Sequence, residues 1–199
     1  MLFPAYLKPG DCIGVSAFSH PIDEEIDRYR FENGAEKLNE RGYQVCFTEN
    51  VFRDADRFGR SGCGAEKAKQ LHELLADPKI RGIYSAAGGD FLAEMLPYVD
   101  LELLKRDPKW IQGYSDNTSL LYYITTKADI ATAYGANFGD FGMEDWDLSV
   151  QRGLAVLEGN CSVQDSFEGY QDGFGSRETG LEGYQMDGEV VWDCINSAE

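Results

Sequence analysis

Short apolar runs alternate along the chain with longer segments of helical periodicity. Residues 11–18 form a compact, mostly apolar run, as expected of a strand buried inside a parallel sheet. Residues 22–41 then place apolar side chains at near-helical spacing, and Gly42 follows as a helix stop. The same reasoning predicts strands over 43–47, 81–87, 109–113 and 130–134, helices over 65–76, 100–106, 116–126 and 148–157, and a short helical stretch ending at 96.

This alternation of strand and helix predicts an α/β fold with a mostly parallel sheet and helices on both faces. The pattern changes after Gly135, because residues 137–147 are rich in glycine, phenylalanine and acids, and residues 159–188 show little periodicity. We therefore predict one domain over 1–136. Over 137–199 we expect an irregular acidic linker and the start of a truncated C-terminal domain.

The charge of the chain limits its partners. A net charge of −17 argues against nucleic acid or an anionic membrane surface, since both require a basic footprint. Residues 140–199 hold fourteen acidic residues against only Arg152 and Arg177, so much of the acidity lies in this last segment. A solvated or mobile segment is favoured over a docking surface for a cationic ligand.

The cysteines and the apolar runs indicate the compartment. Five scattered cysteines without a C-x-x-C pair, and only two histidines, favour reduced thiols and no metal site. The first residues lack the basic and apolar regions of a signal peptide, and no run of 18 apolar residues occurs. We therefore expect a cytoplasmic protein.

The strongest chemical motif is Gly-Tyr-Ser-Asp-Asn-Thr over 113–118, between a predicted strand and a predicted helix. A serine on such a turn projects from the carboxyl edge of a sheet, where ligands bind in open α/β folds, so Ser115 is a candidate nucleophile. The N–H of Asp116, at the helix start, is a candidate oxyanion donor. Asn117 stands where the hydrolase motif G-x-S-x-G has its second glycine. On this motif alone, a helix N-cap explains Ser115 equally well.

A second motif, Gly88-Gly89-Asp90, follows another predicted strand at the same edge. Paired glycines let the backbone approach a ligand, and they leave the N–H of Gly89 as a second oxyanion donor. Gly88 and Asp90 are candidate substrate-binding residues. A plain turn is the favoured interpretation of this motif taken alone.

A serine nucleophile also needs a base, normally a histidine oriented by a carboxylate. His72 falls on the apolar side of a predicted helix and is interpreted as structural. His20 follows the first strand and lies near the active edge, but a role in the turn is favoured. Lys109 lies at the opposite edge of the sheet, too far from Ser115 to act as its base.

Six segments stand in a fixed order along the chain: Leu-Lys-Pro-Gly-Asp over 7–11, Ile-Gly-Val over 13–15, Gly-Gly-Asp over 88–90, Leu-Pro-Tyr-Val-Asp over 96–100, Pro-Lys-Trp over 108–110 and the serine motif over 113–118. Together they resemble the LD-carboxypeptidase family of serine peptidases. Thr125-Thr126, Tyr134-Gly135 and Phe-Gly-Met-Glu-Asp-Trp over 141–146 look most like the branch related to the microcin C self-immunity protein.

The resemblance implies a two-domain enzyme, with a flavodoxin-like N-terminal domain that carries the serine and a β-rich C-terminal domain that carries a glutamate and a histidine. Ser115 matches the family nucleophile, and Asp116 and one of Gly88 or Gly89 match the oxyanion donors. No residue matches the triad glutamate or histidine. The family cleaves an amide near a free carboxylate, in a murein L,D-peptide or in an acylated aminoacyl nucleotide, without a metal or cofactor.

We therefore expect a serine peptidase or amidase that is weakly active or inactive without the missing domain. The alternative is a non-catalytic α/β module that binds a ligand at the same edge. The expected partners are a peptide-like small-molecule substrate, the missing domain and, through exposed apolar surface, a second copy of the chain. Trp146 and Phe138 are candidates to stack on a planar substrate group, although packing is the favoured role for both.

Overall fold

The central feature of the computed structural model, which describes residues 1–175 and 177–193, is a five-stranded parallel sheet. The strands are β1 (Cys12–Ser16), β2 (Gln44–Phe47), β3 (Ile80–Ser85), β4 (Trp110–Gly113) and β5 (Ala133–Tyr134). Their order in the sheet is β2-β1-β3-β4-β5, the flavodoxin-like order in which the chain reverses direction of winding between β1 and β3. The predicted α/β class and the parallel sheet are confirmed.

Five α-helices and three short 3₁₀ segments connect and cover these strands in the described part of the chain. The α-helices are α1 (Glu25–Glu40), α2 (Gly64–Ala76), α3 (Leu101–Arg106), α4 (Thr118–Ala128) and α5 (Leu148–Leu157). The 3₁₀ segments are Leu92–Tyr98, Ser115–Asn117 and Phe138–Gly142. A separate hairpin pairs β6 (Gly169–Tyr170) with β7 (Gly188–Glu189).

The helices lie on both faces of the sheet because the strand side chains alternate between two apolar cores. Ile13 and Val15 of β1 enter the core under α1 and α5, whereas Cys12 enters the core under α2, α3 and α4. In β4, Trp110 enters the core under α1 and α5, and Ile111 enters the core under α2, α3 and α4. Each central strand is therefore apolar on both sides, which is why its sequence is a continuous apolar run rather than an alternating one.

The segment after residue 136 packs against the first of these cores. Phe138 is fully buried and its ring centroid lies 5.1 Å from that of Phe31 on α1. Arg30 of the same helix donates to the carbonyl oxygens of Gly139 at 2.6 Å and Glu182 at 3.0 Å. The domain boundary at 136 stays a prediction, and the structure adds that the following segment shares a core with α1.

The differences from the predicted elements lie mainly at their ends. The helix predicted from residue 116 begins as a 3₁₀ turn and becomes α-helical at Thr118, and the strand predicted over 130–134 is regular only at its last two residues. Within the described residues, no helix is long and apolar enough to cross a membrane. The same residues contain no group of three or more histidine, cysteine or acidic side chains arranged to hold a metal ion.

Candidate active site

The candidate site lies where the carboxyl ends of β1, β3 and β4 meet. In a doubly wound sheet, the crevice at the switch between oppositely wound halves is where ligands bind, and here that switch separates β1 from β3. Ser19 follows β1, Gly88 and Gly89 follow β3, and Ser115 follows β4. The structure therefore brings the two glycines and the serine that were predicted from separate motifs to one edge.

Ser115 is held in a strained, exposed turn. Its φ angle is 63°, one of only two positive values among the described non-glycine residues, and its side chain is open to solvent. Thr118 Oγ1 donates to the carbonyl oxygen of Ser115 at 2.6 Å. A serine in the left-handed region costs of order 1–3 kcal/mol, so the surrounding contacts must impose the conformation. A strained strand-to-helix turn is what the predicted nucleophile role requires of the backbone.

Asn117 explains how the turn works without the second glycine of the hydrolase motif. Its side chain is fully buried, and Nδ2 donates to the carbonyl oxygens of Ala87 at 2.9 Å and Tyr114 at 3.1 Å. Nδ2 also lies 3.1 Å from Oδ1 of Asn137, which accepts from the Tyr114 N–H at 3.2 Å. The amide thus ties the nucleophile turn to the end of β3 and to the segment after β5.

Gly113, the first glycine of the motif, is required by close packing. A Cβ atom at this position would lie 2.7 Å from Oγ of Ser85, a distance that real Cβ atoms essentially never show. The glycine therefore lets β4 approach β3 immediately before the turn. Ser85 is itself buried at the end of β3, so this contact fixes the position of β4 immediately before Ser115.

The first of the paired glycines lies directly against Ser115. A Cβ atom on Gly88 would lie 3.0 Å from Ser115 Oγ, and one on Gly89 would collide with Oγ of Ser19. Gly89 has a φ of 147°, which other residues rarely adopt, and its N–H donates to no acceptor in the described part of the chain. Asp116 lies in the first turn of a helix, where N–H groups lack intrahelical acceptors. That the two amides serve as oxyanion donors stays a prediction.

The carboxylate of Asp116 was not predicted to act, but it organises the edge. Oδ2 accepts from Ser19 Oγ at 2.6 Å and from the N–H of Leu92 at 2.8 Å. Asp116 therefore connects the turns that follow β1, β3 and β4. Ser19 carries a detectable signal in the sequence, because it is a polar residue immediately after a buried strand, but its partner could not be identified from the sequence.

The three candidate bases make no hydrogen bond to Ser115 in the described residues. His72 Nε2 accepts from the N–H of Asp100 at 2.9 Å, and Lys109 is fully buried with Nζ donating to the carbonyl of Leu74 at 3.0 Å. His20 Nδ1 lies 2.7 Å from the carbonyl oxygen of Gly59, which is a turn-stabilising contact. Across residues 1–175 and 177–193, no hydrogen bond reaches Ser115 Oγ.

The two remaining predicted substrate contacts have different settings. Asp90 is exposed beside Gly89. Trp146 is buried, its Nε1 donates to Phe141 O at 2.6 Å, and the Arg41 guanidinium lies 3.9 Å from its ring centroid. Phe138 is also packed in this aromatic cluster. Packing, the role favoured for both aromatic residues, is what these contacts show, and stacking of Trp146 on a substrate stays a prediction without support from them.

Two cavities open beside the nucleophile turn. One has a volume of about 230 Å³ and is lined in part by His20, Gly88 and Tyr114. The other has a volume of about 700 Å³ and shares Tyr114, Arg30 and Asp140 with the first. Burial lowers the pKa of Arg30, raises that of Asp140 and raises that of Tyr114 to about 12. Arg30 and Asp140 are thus buried in the wall that the two cavities share, whereas Tyr114 is partly exposed to solvent.

Comparisons with known proteins agree with this geometry. A family model described as the LD-carboxypeptidase N-terminal domain matches residues 13–135. The Microcin C7 self-immunity protein MccF of Escherichia coli is 36% identical over 134 residues, which are 67% of this chain and 38% of that protein.

Solved structures are similar as well. MccF in complex with aspartyl sulfamoyl adenosine superposes with a TM-score of 0.78 at 28% identity, covering 96% of this chain and 57% of that one. An MccF-like protein from Bacillus anthracis superposes with a TM-score of 0.71 at 30% identity, covering 79% and 47%. The chain thus spans about half the length of the relatives it matches.

Proposed function

The chain belongs to the LD-carboxypeptidase family, and we propose that it is the nucleophile-bearing half of a serine amidase or peptidase of that family. The observation that carries this proposal is the exposed Ser115 at a φ of 63°, placed against Gly88 at the carboxyl edge of the sheet. A strained serine with nothing covering its hydroxyl is poorly explained as a helix cap, because a cap would use that hydroxyl to bind a backbone N–H.

In the proposed reaction, Ser115 Oγ attacks the carbonyl carbon of a peptide-like amide. The proton of the hydroxyl passes to a histidine that a glutamate orients, and both of these residues are supplied from outside the 199 residues. The oxyanion of the tetrahedral intermediate accepts hydrogen bonds from the N–H groups of Asp116 and Gly89. The histidine then protonates the leaving amine, the C–N bond breaks, and water hydrolyses the acyl-serine. This reaction needs no metal or cofactor.

The proposed substrate is a small peptide-like molecule with a free carboxylate near the cleaved amide. A murein L,D-peptide and an acylated aminoacyl nucleotide both satisfy this description. The structure of MccF with aspartyl sulfamoyl adenosine favours testing the nucleotide class first. The cavities of about 230 and 700 Å³ beside Tyr114 offer space for groups on the acyl and amine sides of the amide.

The second candidate function is a non-catalytic module that binds a ligand at the same edge. The observation in its favour is that no described side chain makes a hydrogen bond to Ser115 Oγ, so a base is lacking within this part of the chain. Loss of the base removes most triad catalysis, and only weak catalysis from the oxyanion hole remains. The two functions differ in whether Ser115 is chemically activated.

The experiment compares this chain with an extended chain, in which the sequence continues into a C-terminal domain of the same family. Both are assayed for hydrolysis of an L,D-linked murein tetrapeptide and of an acylated aspartyl-adenylate mimic, and both are labelled with a fluorophosphonate. Hydrolysis by the extended chain, with labelling abolished in Ser115→Ala, is the expected result. Inactivity and absence of labelling in both forms would favour the binding module.

We also propose a cytoplasmic location and self-association. The four cysteines among the described residues are free, which suits a reducing compartment, and the large side chains of Phe3, Tyr122 and Tyr134 are exposed. Cell fractionation with an antibody against the chain tests the location. Sedimentation equilibrium tests the assembly, and a monomer at all concentrations would count against self-association.

A further inference from the structure

Lys67 on α2 is a fully buried lysine beside the candidate site. Lysine is almost never fully buried unless its charge is paired, so its position calls for an explanation. Nζ donates to the carbonyl oxygen of Phe91 at 2.6 Å and lies 3.9 Å from Oε2 of Glu94. The lysine therefore points from α2 into the loop that follows the paired glycines after β3.

The peptide group that Lys67 contacts is held at both ends. Its carbonyl oxygen, from Phe91, accepts from the ammonium of Lys67, and its N–H, from Leu92, donates to Oδ2 of Asp116 at 2.8 Å. Hydrogen bonds in which one partner is ionised are about twice as strong as those between neutral groups. One peptide group thus lies between a buried cation and the carboxylate of the residue that follows the nucleophile.

The helix that carries Lys67 is anchored at the same place. A Cβ atom on Gly64, the first residue of α2, would collide with the carbonyl oxygen of Glu94. The start of α2 therefore lies in backbone contact with the segment that contains Glu94. Arg60 also bonds Glu94, at 3.1 Å, so the carboxylate facing Lys67 is fixed in turn. These contacts leave the ammonium little freedom to move away from Phe91.

We propose that Lys67 is a positioning residue for the reaction of Ser115. It fixes the Phe91–Leu92 peptide against Asp116, and in this way it sets where the Gly88-Gly89 turn lies relative to the serine. The inference rests on the proposed function, because it concerns the oxyanion side of that same site. Lys67 acts through the peptide and Asp116 and does not itself touch the substrate.

The surroundings of the ammonium are consistent with this role. Burial lowers the pKa of Lys67, while the carboxylates of Glu94 and Asp116 oppose that shift. Arg60 lowers the pKa further and the Cys63 thiol raises it. Asp116 therefore interacts electrostatically with Lys67 as well as through the shared peptide.

The test compares Lys67→Met with Lys109→Met. Lys109 is a closely matched control, because it is also fully buried, also donates to a backbone carbonyl, and also has a carboxylate oxygen, from Asp107, at 3.9 Å. It directly precedes β4, at the end of that strand away from Ser115. A general loss of stability should therefore affect both variants alike, whereas a positioning effect should appear in one.

Two readouts are measured on the extended chain that supplies the base, as the wild type and with each of the two substitutions. The first is the NMR shift and hydrogen exchange of the Leu92 amide, which report its bond to Asp116 whether or not Ser115 reacts. In Lys67→Met we expect the resonance to move and its protection to fall by about tenfold more than in Lys109→Met. The second is the rate of fluorophosphonate labelling of Ser115, expected to fall by about ten- to a hundredfold only in Lys67→Met.

An unchanged Leu92 amide in a folded Lys67→Met, or equal labelling rates in the two variants, would overturn the positioning role. If Ser115 of the wild type does not label at all, the proposed function fails, and the Leu92 amide alone then decides whether Lys67 holds the peptide. The two failures are thus told apart by separate measurements.

Discussion

The carboxylate of Asp116 accepts a hydrogen bond of 2.6 Å from the hydroxyl of Ser19, although 97 residues separate the two in the sequence. Asp116 directly follows Ser115, and Ser19 packs against Gly89, where any Cβ atom would collide with its hydroxyl. The bond therefore joins the residue beside the nucleophile to the residue that confines the second glycine. The geometry of the edge depends on this side-chain contact as well as on the order of the strands.

Replacing Ser19 by alanine should impair the site more than the fold. The change removes one donor from a carboxylate, which costs about 1.5–3 kcal/mol of the free energy of unfolding. It also leaves the Asp116 side chain held by the Leu92 N–H alone, so the labelling rate of Ser115 should fall by about tenfold. Labelling is followed by intact mass and stability by urea denaturation.

Ser61→Ala is the control for this change. Ser61 is another buried serine whose hydroxyl bonds to the segment after β1, through the carbonyl oxygen of Ala17, but it does not contact Asp116. It should lose about 0.5–1.5 kcal/mol of the free energy of unfolding, because its partner is neutral, and keep the wild-type labelling rate. Equal labelling losses in the two variants would show that the Ser19–Asp116 bond has no special role.

A methyl group on Gly88 should block the nucleophile. In Gly88→Ala the new Cβ would lie 3.0 Å from Ser115 Oγ and 3.1 Å from its Cβ, so the serine must move by a few tenths of an ångström or more. We expect a loss of about a hundredfold in hydrolysis by the extended chain, because small displacements at a reacting atom have effects of this size. The thermal midpoint should change little.

The control for Gly88→Ala is Gly153→Ala in α5. A Cβ atom there meets nothing within 4 Å, and alanine in a helix is more stable than glycine by about 0.5–1 kcal/mol. This variant should therefore be slightly more stable and fully active. Full activity of Gly88→Ala would contradict the placement of Gly88 against the serine.

The fold and the position of the nucleophile could be predicted because they depend on local patterns. Buried parallel strands are continuous apolar runs, and a serine between such a strand and a helix must lie at the carboxyl edge. The contacts of Ser19 and Lys67 could not be predicted in this way, because they join segments distant in the sequence and depend on how α2 and the loops pack. Burial of Lys67 is equally invisible locally, since lysine on a helix normally faces solvent.

The thiol of Cys46 should react at unusually low pH. The hydrogen bond from Cys12, whose sulfur lies 3.7 Å away on β1, lowers the pKa of Cys46 to about 7, although burial opposes the shift. Alkylation by iodoacetamide requires the thiolate, so its rate at Cys46 should rise through pH 7 and level off above it. Mass spectrometry of the digested protein gives this profile.

In Cys12→Ala the same profile should move to higher pH. The donor is then absent while the burial that disfavours the thiolate remains, so the folded-state pKa of Cys46 rises. Alkylation of the exposed Cys63 in the same digests controls for the reagent. A Cys46 profile that is identical in the wild type and the variant would exclude the Cys12 bond as the cause.

The backbone strain at Ser115 should be measurable as a difference in the free energy of unfolding between its glycine and alanine variants. A left-handed conformation costs roughly 1–2 kcal/mol for a residue with a Cβ atom and little for glycine, although glycine also loses more entropy on folding. Ser115→Gly should therefore exceed Ser115→Ala in free energy of unfolding by about 1 kcal/mol, with labelling abolished in both.

Asp129, the other described non-glycine residue with a positive φ, at 57°, provides the comparison at the end of α4. Asp129→Gly should gain stability over Asp129→Ala by a similar amount and leave labelling unchanged. If Ser115→Gly has no advantage over Ser115→Ala while Asp129→Gly has one over Asp129→Ala, the serine is not strained, and the case for a nucleophile elbow loses its main physical support.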